Sequence, residues 1–403
     1  MSVASIVEFH IKAKAGARNA FTLEVFQRGG SQPLANTSFD YDLSFLTEYD
    51  VSNLDSGNVE PGIRFEKLKR FGMNLYDRLF TKEIGDLWGK FKGSGEFVTL
   101  CIRISREAER LELLPWETLH DGREFIAAGS CTGLTRLPLD IDIKRDLPAL
   151  SYPLKMLALL SSPLDLGDHE RLAIEKEQEI LLRGVNLPAG QGRLQVDFED
   201  EAQLPIIENA LETPYPLFHF SGHGIDPKCG GGLLLEDMGG KKRFSPVGEV
   251  LESLEKGIRH FRLAVISGCQ TARTLYAAGF QDLARALARK GVPGVLAMQF
   301  SISDSGGIML AEHLYPKLAE GQPVDKALSV IRRMMLQSGD LDIMADAVAM
   351  VLILAGENIL KAVEVEKKVV GPEIHIQFDK LTLLPELRFG FYGRRKEYRV
   401  IRD

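Results

Sequence analysis

From Leu154 onward the chain alternates between short apolar runs and longer stretches in which apolar residues recur every three or four positions. The runs at 155–161, 194–198, 215–221, 262–267, 293–300 and 348–355 have the length of strands. Between them, IEKEQEILLRGV, EAQLPIIENALE, SPVGEVLESLEKG, QDLARALARKG and a pair of segments between 305 and 336 carry helical spacing. Strands this uniformly apolar need cover on both faces, and strands separated by helices tend to run parallel. The pattern therefore predicts an α/β fold: a doubly wound, mostly parallel sheet with helices on both faces. In such sheets chemistry gathers beyond the carboxyl ends of the strands.

Upstream the period changes. Residues 1–61 contain VEFHIKAKA and FTLEVFQ, which alternate with a period of two and are punctuated by Gly29, Gly30 and Pro33, as in a small β-rich module. From Gly62 to Phe91 the residues Phe65, Leu68, Phe71, Leu75 and Leu79 share one helical face, and strands return at FVTLCIRIS and near Thr132 to Leu137. The expected organisation is a β-rich module over 1–61, an α/β subdomain over 62–150, the sheet-and-helix core over 151–357 and a tail over 358–403. Trp116, within LLPWETL, is expected to join the upstream part to the core. No repeat with a period of 20–50 residues is present, which excludes a solenoid.

The composition of the 403 residues, 45% hydrophobic and 26% charged, is that of a globular protein. A net charge of −7 gives no general attraction to nucleic acid or to an anionic membrane surface. The longest apolar run, 343–356, contains Asp346 and falls short of the ~20 residues of a membrane span. At the N-terminus Glu8 and two lysines interrupt the apolar stretch an export signal would need. Cys101, Cys131, Cys229 and Cys269 form no C-x-x-C pair, a usage that fits reduced thiols. The expected setting is cytoplasmic, with no directly bound nucleic acid and no membrane.

Candidate chemistry sits in two of the apolar runs, LFHFSGHG at 217–224 and LAVISGCQTA at 263–272. Each ends in a small-residue turn, one carrying His223 and the other Cys269. A thiol is nucleophilic only as its thiolate, and a nearby imidazole favours that form and can later protonate a leaving amine. The glycines flanking His223 leave room for a substrate backbone. His219 precedes His223 by four residues, but along a strand that spacing separates the two by about 13 Å, too far to share one zinc ion. His219 is expected to be a packed core residue, Cys229 a bystander, and no metal or cofactor is expected. Asp304 admits two readings, a substrate contact or the N-terminal cap of the helix that follows, with the cap favoured.

These motifs resemble the CHAT domain family of caspase-like cysteine peptidases. The 46 positions between His223 and Cys269 are close to the histidine-to-cysteine spacing of caspases. The resemblance extends in order through LCIRISREAERLELLPWETLHDG at 100–122, KMLALLSSPLDL at 155–166, GGLLLED at 231–237, GVPGVLAMQFSISD at 291–304 and AEHLYPKLAEGQPVDKAL at 311–328. It implies a cysteine endopeptidase acting on a protein substrate through a His223/Cys269 dyad. The backbone N–H groups of Gly224 and Cys269 would form the oxyanion hole, with Ser267, Gln270 and Asp304 as substrate contacts. Metacaspases carry an aspartate where Ser267 stands, and the glutamine-alanine-cysteine run of caspases is absent, so neither cleavage after a basic residue nor cleavage after aspartate is implied. The resemblance also implies a regulated effector in bacterial defence or cell death, held inactive until a regulatory module or partner protein engages it. The alternative is a catalytically silent scaffold of the same fold. In the tail, FYGRRKEYRVI is similar to the opening motif of STAND-type NTPases, which suggests an effector part N-terminal to such a module.

Overall fold

A computed structural model describes residues 5–16, 19–42, 59–144, 146–225, 231–268, 277–300 and 302–364. In chain order the elements are β1 (Ser5–Ala13), β2 (Ala20–Gln27), β3 (Ala35–Asp40), α1 (Pro61–Leu79), α2 (Lys82–Lys92), β4 (Val98–Ile104), a 3-10 segment (Arg106–Leu113), β5 (Thr132–Arg136), β6 (Leu150–Ser151), β7 (Leu154–Leu160), α3 (Asp168–Gly190) and β8 (Leu194–Glu199). There follow α4 (Leu204–Ala210), β9 (Leu217–Ile225), β10 (Gly232–Glu236), β11 (Lys242–Pro246), α5 (Val247–Ile258), β12 (Leu263–Gly268), α6 (Ala277–Arg289), β13 (Gly294–Met298), α7 (Asp304–Ala319), α8 (Val324–Leu336), α9 (Leu341–Asp346), β14 (Met350–Leu354) and β15 (Ala362–Val363).

Among the described residues, 13 strands form one sheet, ordered β11-β10-β9-β12-β13-β14-β5-β4-β1-β2-β3, with β7 also on β9 and β8 on β7. Two parallel blocks make up most of it. Strands β8, β7, β9, β12 and β13 run one way, and β14, β5, β4 and β1 run the other. The blocks meet at the antiparallel pair β13 and β14. The six apolar runs of the core are therefore strands, as their pattern predicts, but the last of them, β14, points against its neighbour. A strand buried on both faces reads as apolar in either direction, so the pattern does not carry that distinction.

The strands of the N-terminal region extend this same sheet, because β1 lies parallel to β4 and β2 and β3 add antiparallel beyond it. The single helix expected over 62–91 is two. At the break Phe80 turns inward, stacks on Tyr76 at a centroid distance of 4.0 Å and reaches Phe9 of β1 at 5.2 Å and Trp88 of α2 at 6.0 Å. Burying that ring against the sheet outweighs continuing the helical spacing. Trp116 is fully buried in the larger core, with its Nε1 donating to Leu111 O at 2.8 Å. None of the helices among the described residues is long and apolar enough to cross a membrane.

Alternation along β9 and β12 divides the interior in two. Leu217, Leu263 and Val265 face one core, which also holds Leu310, Leu314 and Tyr315 of α7. Phe218, Phe220, Ala264 and Ile266 face the other, beneath α4, α5 and α6. This parity decides which side each described residue of the two strands occupies.

Candidate functional site

His223 lies in β9 near its carboxyl end and is buried at 5% exposure. On one side β9 pairs in parallel with β12, in a register that sets Ser267 beside Ser221 and Gly268 beside Gly222. On the other side its partner changes. As far as Ser221 it is β7, and from His223 onward it is β10, with Leu234 opposite His223 and Leu233 opposite Gly224. The β10 and β11 hairpin, which lies between expected elements and has no helical or long apolar signature, is thus a wall of the site. Gly232 opens β10 with φ +128°, and a Cβ there would lie 2.2 Å from Ser245 O, so the close start of that hairpin requires glycine.

The structure therefore brings His223, Gly224 and Ser267 together at the carboxyl ends of two adjacent parallel strands. Ser267 is half-buried at the end of β12. Cys269, Gln270, Cys229 and the tail after Glu364 lie outside the described residues.

Asp304 opens α7, which follows β13, the neighbour of β12. It is not the cap. Ser303 holds that position, its hydroxyl accepting from Gly306 N at 3.0 Å. Asp304 is the first residue inside the helix and half-buried, where a carboxylate complements the positive end of the helix dipole.

His219 belongs to the core, as expected. Its Nδ1 is hydrogen-bonded to the Tyr315 hydroxyl of α7, and burial alone holds its imidazole down at about 3. Burial likewise pushes the Tyr315 hydroxyl up. A histidine neutral in the folded protein and protonated in the unfolded chain stabilises the fold above its unfolded value of roughly 6.5. That contribution is lost as pH falls from there towards about 3. His219→Gln is expected to remove this component. The difference in unfolding free energy between wild type and variant should therefore change by about 1.4 kcal/mol per pH unit below pH 6 and be flat above pH 7. A difference independent of pH would show that the ring protonates freely in the fold. Among the described residues no group of three or more His, Cys, Asp or Glu side chains could hold a metal ion.

Two polar networks flank the site that neither spacing nor motif reveals. Gln299 follows β13 and is held between Arg136 of β5, which donates to its Oε1 at 2.8 Å, and two acceptors for its Nε2, Glu117 Oε2 at 3.0 Å and Val348 O at 2.7 Å. Arg136 also forms a buried ion pair with Glu117. Four residues further on, Ser303 donates from its N–H at 2.8 Å and from its Oγ at 2.6 Å to one oxygen of Asp346, whose second oxygen pairs with Arg64 Nη1 at 2.8 Å. Side chains from the upstream part of the chain thus hold both ends of the turn that leads into α7.

The family model of the CHAT domain matches residues 69–361, and the chain belongs to that family. No curated protein matches the sequence. Among solved structures, separase in the Saccharomyces cerevisiae separase–securin complex is similar at 14% identity with a TM-score of 0.38, over 81% of this chain and 21% of separase. A second structure of that complex gives 15% identity and a TM-score of 0.36 over 73% and 19% of the two chains. The complex of the pro- and mature domains of Porphyromonas gingivalis RgpB gives 8% identity and a TM-score of 0.42, over 79% and 77%. The chain spans about a fifth of the length of the separase chains.

Proposed function

We propose that this protein is a cysteine endopeptidase in which Cys269 attacks the scissile carbonyl and His223 protonates the departing amine, then activates the water that hydrolyses the thioester. One observation carries the reading: the register of β9 and β12. Leu217, His219 and Ser221 stand beside Leu263, Val265 and Ser267 in turn. Continued by two residues, the series reaches His223 on one strand and, in sequence, Cys269 on the other. The same parity supports a common face for imidazole and thiol, at the sheet edge where such chemistry collects. The N–H groups of Gly224 and Cys269 serve as oxyanion donors, and Ser267, Gln270 and Asp304 contact the substrate.

The substrate is a protein, and the enzyme is a cytoplasmic effector in bacterial defence or cell death, activated by a regulatory module or partner. The test is a comparison of new protein N-termini in cells producing wild type or Cys269→Ala. A discrete set of cleavages is expected with wild type once it is activated and none with the variant. Identical sets would reject peptidase activity and leave a scaffold role.

A further inference from the structure

We infer that Ser161 is the positioning residue for His223, a role that rests on the proposed dyad and adds a residue to it. The observation is the exchange of partners along β9. Parallel pairing with β7 ends with Leu160 beside Ser221, and antiparallel pairing with β10 begins at His223. On that edge of β9 the ladder is interrupted just before the histidine, while β12 pairs along the other edge as far as Gly222.

Ser161, fully buried, bridges this interruption with two hydrogen bonds. Its N–H donates to Ser221 O at 2.9 Å, which carries the β7 ladder one residue further. Its hydroxyl donates to Leu234 O at 2.7 Å, and Leu234 is the residue directly opposite His223. One serine therefore fastens β9 two residues before the histidine and β10 at the histidine's partner.

Neighbouring contacts reinforce the same join. Ser162 N donates to the buried Glu236 carboxylate of β10 at 3.2 Å. Leu164 N donates to Gly240 O at 2.8 Å, and Lys242 N donates to Asp165 Oδ1 at 2.7 Å. The segment after β7 is thus a strap across the β10 and β11 hairpin. Gly222 completes the fit, since a Cβ at that position would lie 3.0 Å from Ser161 Cβ and 2.7 Å from Phe220 Cζ. The sequence SGHG needs its first glycine to admit this serine beside the strand.

A hydroxyl that holds β10 against His223 fixes where the imidazole sits relative to the thiol, and the strength of that pairing sets how far the thiolate persists below the ordinary thiol range of roughly pH 8.5. The experiment follows alkylation of Cys269 by iodoacetamide from pH 5 to 9 in the full chain, quantified by peptide mass. Wild type should react well below the free-thiol range, and His223→Ala should move the midpoint up into it. Ser161→Ala should shift the midpoint part of the way, with about tenfold slower alkylation near pH 6. Ser253→Ala, which removes an equally buried hydroxyl donating to Val250 O at 2.8 Å in α5, should follow wild type. It controls for general loss of stability.

If wild type and His223→Ala titrate alike, the dyad fails and the role of Ser161 falls with it. If those two differ while Ser161→Ala coincides with wild type, or if Ser253→Ala shifts as far as Ser161→Ala, only the role of Ser161 is overturned.

Discussion

Replacing Cys269 by alanine is expected to abolish peptide-bond cleavage by the activated enzyme, a loss on the order of 10⁴-fold or more in kcat, because no other group can form the acyl intermediate. His223→Ala removes the acid and base steps, and an expected fall of about 10²–10⁴-fold follows. The two losses should not add, since both residues serve one covalent step. The Cys269→Ala double variant with His223→Ala should be no slower than Cys269→Ala alone. Unfolding by urea separates chemistry from folding: Cys269→Ala should stay within about 1 kcal/mol of wild type. A variant that loses activity together with several kcal/mol of stability would point to a buried structural thiol.

Asp346→Ala should produce the largest loss of stability. It leaves the guanidinium of Arg64 fully buried without its carboxylate and takes the acceptor from Ser303, which caps α7. Breaking one side of a buried pair costs about 3–5 kcal/mol. Burial pushes the Asp346 carboxyl up even against Arg64, which shows how strongly desolvation acts here. Replacing both partners, Arg64→Met with Asp346→Leu, should cost clearly less than Asp346→Ala, since no orphaned charge remains. Equal destabilisation of the single and double variants, measured by urea midpoints, would mean that packing volume and not charge pairing is what the site loses.

The reach of the sequence is uneven for physical reasons. The six apolar runs became β7, β8, β9, β12, β13 and β14, because burial on both faces writes itself directly into composition. His223 was legible as a functional candidate because glycine, histidine and glycine at a strand's end is a poor packing choice unless backbone access matters there. The break at Phe80 was not legible, since its aromatic ring fits the helical face as well as the fold against Phe9. Nor was the partner exchange along β9, which depends on the short β10 strand taking over an edge that β7 leaves. Ser161, Gln299 and Asp346 were equally silent. Ser161 is one of two adjacent serines at a strand end, and the partners of Asp346 and Gln299 lie up to 282 residues away, so no local spacing announces them. Asp304 illustrates a finer limit: its neighbour Ser303 is an equally good cap by residue type, and only Asp346, docked behind it, decides between them.

The most direct test of the central claim is covalent trapping of the activated enzyme with a set of peptidyl acyloxymethyl ketones that differ in the residue before the reactive group, followed by mass mapping of the labelled peptide. A single adduct on Cys269, formed with at least one of these probes and slowed at least a hundredfold in His223→Ala, is the predicted result. Labelling on Cys101, Cys131 or Cys229 instead, or equal labelling of Cys269 with and without His223, would contradict a peptidase built on this pair.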